Sequence, residues 1–271
     1  MLESLSLDDK VTIVTGGGTG LGRAMVLALA RAGSHIVIAS RRSKPIEEVA
    51  SEVRHIGRQA LAIPTDVTDS HQVVRMVNQS IGKFGKVDVL INNAAMLGSP
   101  RKPIWDITDQ EWRFGIEANL TSAFYCARAV AKHMVDTGQG KIINVASGYG
   151  FRGARDMYTY TCGKGGMIQL TRTLAVSLGP HGVTANTIVP GFIPTRGSDA
   201  MRESLPKTTE YTPMGRFPKP THMGPIAVFL ASSASNYMNG ETMTIDGGGL
   251  AGGLAPTGYA PYLTFNDVGS R

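Results

Sequence analysis

Residues 11–32 read VTIVTGGGTGLGRAMVLALARA, and the fold is decided there. Val11–Thr15 is a short, β-branched, apolar run. Leu21–Ala32 reads as a helix stopped by Gly33. Between them Gly16, Gly17, Gly18, Gly20 and Gly22 let the backbone turn tightly and come close to a ligand. The next helix aims its free N–H groups and the positive end of its dipole at the same place, which suits a phosphate or pyrophosphate. The turn is not a P-loop, because Arg23 and Ala24 come after Gly22 where Lys and Ser/Thr would stand. Nor is it a strict GxGxxG. A glycine turn alone is a weak signal. Its position, after the first strand and opening the first helix, makes it a dinucleotide-binding turn.

The rest of the chain repeats that strand–helix alternation. Further strands are expected at His35–Ala39, Ala60–Pro64, Val87–Ile91, Lys141–Ala146, Val183–Val189 and Thr242–Ile245. Further helices are expected at Pro45–His55, Ser70–Phe84 and Tyr158–Leu178, and a last one at Met223–Ala231. A long helix opens on the capping-box spacing Thr108–Glu111 and runs to about Val135. The strands are continuous apolar runs, as expected where both faces are buried. The expectation is a single-domain, doubly wound Rossmann fold: a seven-stranded parallel sheet with helices on both faces. That domain takes in residues 1–248, with an irregular, proline-rich substrate loop at about 190–222. A tail, 249–271, completes the chain.

Composition narrows the class. The chain has 271 residues, 42% hydrophobic and 18% charged, which is a globular balance. No apolar run is long enough for a membrane helix. Met1–Lys10 carries Glu3, Asp8 and Asp9 and no apolar core, so no signal peptide is expected. Two cysteines, Cys126 and Cys162, form no CxxC pair, and the expected setting is cytoplasmic. The net charge of +6 is scattered, without a nucleic-acid motif, and favours anionic small molecules. Six histidines show no metal-ligand spacing, and no catalytic metal is expected.

The end of the second strand bears on the cofactor. NAD sites usually place an acid there for the ribose 2′-hydroxyl. Here the chain reads Ala39-Ser40-Arg41-Arg42, with no acid between Asp9 and Glu47. Arg41 offers planar donors suited to a 2′-phosphate, so NADP is expected first and NAD second.

Several motifs, in order, resemble the classical short-chain dehydrogenases/reductases. TGxxxGxG is Thr15 to Gly22, and NNAG reads Asn92-Asn93-Ala94-Ala95. The helix asparagine is Asn119, and the serine is Ser147 at the end of the fifth strand. YxxxK is Tyr160 to Lys164, thirteen residues beyond the serine. PGxxxT is Pro190-Gly191-Phe192-Ile193-Pro194-Thr195. The resemblance runs from Lys10 to about Gly248. Cys162-Gly163 stands where Ala-Ser is common, and Ala95 where glycine is usual. Tyr158 lacks a lysine four residues on, so Tyr160 is the candidate.

The chemistry of these residues stands beside the resemblance. Tyr160 and Lys164 share a helix face. A tyrosine near pKa ~10 is a poor base at neutral pH, and a nearby ammonium together with an oxidised nicotinamide is expected to lower it. Tyr160 then serves as general acid or base, and Ser147 holds the substrate oxygen.

The resemblance implies further roles. By it, Lys164 binds the nicotinamide ribose, and Asn119 holds a water that links the lysine to solvent. Thr19 and Leu21 present backbone to the pyrophosphate beside Gly16, Gly20 and Gly22. Asp66 and Val67 meet the adenine. Asn92 and Ala94 line the cleft. Ile193 and Thr195, in the motif opened by Pro190 and Gly191, touch carboxamide and phosphates.

Substrate contacts are expected from Met96, Leu97, Ser147, Tyr149, Arg155, Phe192, Arg196, Met201, Tyr211 and Met214. The expected activity is hydride transfer between NADP and a secondary alcohol or ketone (3-oxoacyl, sugar-derived or cyclic). Alternatives are an NAD-dependent polyol dehydrogenase and a non-catalytic redox sensor. A homotetramer or homodimer is expected, with Tyr259–Phe265 of the tail packed on a neighbouring subunit.

Overall fold

In the computed structural model, which describes residues 3–96, 101–195 and 212–252, the seven strand-like segments form one parallel sheet. They are β1 (Val11–Thr15), β2 (His35–Ser40), β3 (Ala60–Pro64), β4 (Val89–Asn92), β5 (Gly140–Val145), β6 (Val183–Pro190) and β7 (Thr242–Ile245). The order is β3-β2-β1-β4-β5-β6-β7. Every residue of β1 and β4 is buried, as strands covered on both faces require. The two edge strands, β3 and β7, are the ones with exposed positions.

Helices cover both faces. On one side α1 (Gly20–Arg31), α2 (Ser43–His55) and α7 (Met223–Ala231) bury Met25, Leu29, Ile46, Val49 and Leu230 against the sheet. On the other, α3 (Ser70–Phe84), α5 (Ser122–Asp136) and the end of α6 (Tyr158–Leu178) contribute Val73, Met76, Val130, Met134 and Ala175. Pro45 falls in the first turn of α2, where its missing N–H costs nothing. Strand order reverses between β1 and β4, and ligands of doubly wound sheets bind in the crevice this opens at the carboxyl ends.

The helix expected from Thr108 to Val135 is interrupted. Thr108 caps α4 (Asp109–Ile116) through the expected box: its hydroxyl accepts from Glu111 N at 3.2 Å and its N–H donates to Glu111 Oε2 at 2.9 Å. The next five residues, Glu117–Thr121, form a wider π turn before α5 begins. Asn119 lies inside that turn. Such bulges recur at functional sites.

Candidate active site

The candidate catalytic groups sit at the carboxyl edge of the sheet because the elements bearing them end or begin there. Ser147 comes just after β5 and caps a short turn, its Oγ accepting from Tyr149 N at 3.2 Å. Tyr160 and Lys164 lie one turn apart on α6, 8% and 2% exposed. Lys164 Nζ donates to the Val145 carbonyl at 2.7 Å and stands 6.0 Å from the Tyr160 ring centre. Burial pushes this lysine down to about 8. Tyr149 meets Tyr160 edge-on, ring centres 6.4 Å apart.

Burial acts on the protonation of Tyr160. Its pKa is raised: burial dominates, the hydrogen bond with Ser147 pulls the other way, and Tyr149 adds to the rise. Lys164 gives its short hydrogen bond to Val145 O.

Asn119 is held by two hydrogen bonds. Its Nδ2 donates to Gly115 O at 3.0 Å and its Oδ1 accepts from Met96 N at 3.2 Å. The side chain therefore ties the π turn to the chain after β4. Gly163, the departure from the family's pattern, gains a reason here: an added Cβ would lie 2.8 Å from Asn119 Cβ. The missing side chain lets α6 approach the π turn closely.

The glycine turn packs its backbone tightly at the start of α1. Gly16 and Gly20 have φ of +65° and +55°, which favour glycine. A Cβ on Gly22 would fall 2.2 Å from Gly16 O, and one on Gly20 would stand 3.3 Å from Thr195. Thr19 precedes α1 in extended conformation without a side-chain cap, so the first-turn N–H groups are left for another acceptor. By contrast, Asp69 caps α3. Leu21 stands at the start of α1, half-buried against the core.

Asn92 lines a small gap beside Thr15, Val67 and Ala94. It is 3% exposed and turned into the sheet, its Nδ2 donating to Asn144 Oδ1 at 2.9 Å and Ala123 O at 3.3 Å. Its neighbour Asn93 turns to the glycine loop. That residue's Nδ2 reaches Thr15 O at 3.0 Å and Gly16 O at 3.2 Å, and its N–H and that of Ala94 both bond Thr15 Oγ1. Asn93 thus clamps the β4 loop to the glycine turn. Asp66 is partly engaged locally, accepting from Thr68 Oγ1 at 2.7 Å. Ser40 is half-buried and Arg41 exposed at the end of β2, with the Ser40 hydroxyl donating to Arg42 O.

Beyond β6, Gly191 passes so close to Asp246 that an added Cβ would lie 2.7 Å from its Cα, next to the buried Pro190. Ile193 buries its side chain in the core. Phe192 packs edge-on against Phe217.

Among the substrate candidates, Arg155 is 95% exposed and pairs with Asp156 at 3.5 Å, so it is not brought to the site. Arg152, which sequence reasoning missed, lies with its guanidinium 5.5 Å over the Tyr149 ring. Leu97, Arg196, Met201, Tyr211 and Tyr259–Phe265 lie outside the described residues. Met214 is exposed, its N–H donating to Gly247 O at 3.2 Å. The boundary at 248 falls inside a folded turn: Asp246 accepts from Gly248 N and Leu250 N, and Leu250 packs on the Ala146 and Val189 cluster over Gly148. Of the thiols, Cys126 is buried and pushed up to about 12, which leaves it unreactive.

This geometry agrees with what the chain matches. It belongs to the short-chain dehydrogenase family, whose model covers residues 10–206. The chain is accordingly an oxidoreductase with a Rossmann-like fold. It is 36% identical over 256 residues to a 2-dehydro-3-deoxy-D-gluconate 5-dehydrogenase of Escherichia coli, covering 93% of this chain and 99% of that one. It also resembles two solved structures. One is a putative NAD(P)-dependent gluconate 5-dehydrogenase from Beutenbergia cavernae with bound NADP. Its TM-score is 0.86 at 34% identity, over 92% of this chain and 99% of that one. The other is a gluconate 5-dehydrogenase from Burkholderia cenocepacia in complex with NADP and tartrate. Its TM-score is 0.87 at 31% identity, over 92% and 98%. No helix among the described residues is long and apolar enough to cross a membrane.

Proposed function

We propose that this protein is an NADP-preferring dehydrogenase/reductase whose substrate is a sugar-acid-derived secondary alcohol or its ketone. One observation carries the reading: Ser147, Tyr160 and Lys164 lie together at the carboxyl edge of a sheet whose strand order reverses between β1 and β4. The nicotinamide dinucleotide, when bound, supplies or takes the hydride. The chain's own residues do the rest. Tyr160 gives a proton to the forming alkoxide, or takes one from the alcohol. Ser147 holds the substrate oxygen against the phenol. Lys164, held by Val145 O, keeps a positive charge beside the ring and binds the cofactor ribose. The amide of Asn119 fixes the π turn, leaving the backbone there to order solvent leading to Lys164.

The preference for NADP rests on Arg41, exposed at the end of β2 with no acid beside it, and on the NADP found in the two related structures. The sugar-acid class rests on the related dehydrogenases. The working form is a cytoplasmic homotetramer or homodimer.

The test is calorimetric titration with NADPH and NADH side by side, then turnover of 2-dehydro-3-deoxy-D-gluconate and D-gluconate with the oxidised cofactors. Tighter NADPH binding and turnover of either sugar acid support the reading. Tighter NADH binding with turnover only of neutral polyols replaces it with a polyol dehydrogenase.

A further inference from the structure

The loop between Ser147 and α6 carries two arginines, and the structure separates them. Arg155 points to solvent and pairs with Asp156. Arg152 is turned back over the Tyr149 ring at 5.5 Å, and that ring meets the Tyr160 ring edge-on at 6.4 Å. The only steps between this guanidinium and the proton-transfer phenol are therefore two aromatic contacts. Tyr149 itself is fixed, because its N–H donates to Ser147 Oγ.

Lys102 pairs with Glu111 at 2.8 Å, and Lys164 is spent on Val145 O. Among the described residues Arg152 has no carboxylate within ion-pair distance. A guanidinium lying over an aromatic face keeps its N–H edge directed outward, pre-organised for a planar bidentate acceptor.

We propose that Arg152 anchors the carboxylate of the substrate, holding it across Tyr149 so that the carbon to be oxidised or reduced lies at Ser147 and Tyr160. This rests on the sugar-acid reading above and names the residue that makes the site select acids over neutral polyols. A bidentate guanidinium–carboxylate contact is among the stronger charge-assisted pairs. Its loss should act on binding and leave the proton transfer at Tyr160 in place.

The experiment compares wild type, Arg152→Gln and Arg152→Lys in three measurements. These are steady-state oxidation of D-gluconate, the same for D-glucitol (the neutral polyol of the same length), and calorimetric binding of tartrate to the NADP-loaded protein. For Arg152→Gln the expected result is a KM for D-gluconate raised about ten-fold or more with kcat nearly unchanged. Tartrate binding should weaken in parallel, with D-glucitol kinetics and NADPH affinity unmoved. Arg152→Lys should recover part of the loss, since it restores charge without the fork. Equal kinetics of wild type and Arg152→Gln on D-gluconate would overturn the anchor and leave the sugar-acid reading standing. A parallel fall on D-glucitol would reduce Arg152 to a support for Tyr149. If the wild type turned over no sugar acid while Arg152→Gln still weakened tartrate, the sugar-acid reading would fall and the carboxylate anchor would stand.

Discussion

Replacing Lys164 with methionine should stabilise the fold while abolishing turnover. The lysine is 2% exposed, and burial holds it at about 8 against an ordinary 10.5. At about 1.4 kcal/mol per pH unit, the folded chain carries a penalty of roughly 3 kcal/mol for the buried ammonium. Methionine fills similar space without the charge. Losing the bond to Val145 O returns roughly 1 kcal/mol. The net gain is about 2 kcal/mol, or about 4–8 °C in Tm for a chain of this size. The pH dependence has a definite sign. Below pH 8 both folded and unfolded lysine are protonated, and the whole penalty is present. Between about 8 and the unfolded value near ~10.4 the unfolded chain binds more protons, so wild-type stability rises with pH. The advantage of Lys164→Met should therefore shrink from neutral pH toward pH ~10. Lys141, also lowered to about 8 by burial and by Lys10, titrates in both proteins and cancels in the difference. Urea unfolding of both proteins at equal concentration, without cofactor, at neutral and alkaline pH measures this. A variant less stable than wild type at neutral pH, or an advantage that does not change with pH, would show that burial of the ammonium carries no such penalty.

Gly163→Ala should destabilise despite gaining about 1 kcal/mol of helix propensity. Its Cβ would sit 2.8 Å from Asn119 Cβ, the rigid root of a side chain bonded at both ends, and overpacking of this kind costs roughly 1–3 kcal/mol. A fall in both Tm and kcat is expected, and unchanged values would show that α6 relaxes freely. Arg41→Ala should weaken NADPH binding by about ten-fold, the scale of a charge-assisted contact, and leave NADH binding as it was; calorimetry of both cofactors checks this.

Much of this fold is legible along the chain because strands buried on both faces read as unbroken apolar runs. β1, β3, α3, α6, α7 and β7 fall where periodicity and terminating glycines put them. The π turn at Glu117–Thr121 is not legible. The apolar pattern runs through it unbroken, and it is set by Asn119 bonding across to Met96 N. Asn92 and Asn93 are the same residue type in adjacent positions. Only the register of β4 decides that one faces the sheet interior and the other clamps the glycine turn. Arg152 and Arg155 lie in one irregular loop, where no period tells which way a side chain turns. The upward pKa of Tyr160 is hidden for a related reason. The spacing to Lys164 is visible, but the depth of burial that raises the pKa is a tertiary fact.

Tyr160→Phe bears most directly on the proposed chemistry, read as NADPH consumption with the sugar-acid ketone the wild type reduces. If the phenol is the proton donor as proposed, cofactor affinity should be unchanged while kcat falls at least ~100-fold. Turnover within a few-fold of wild type would contradict the assignment of Tyr160 as the acid–base group.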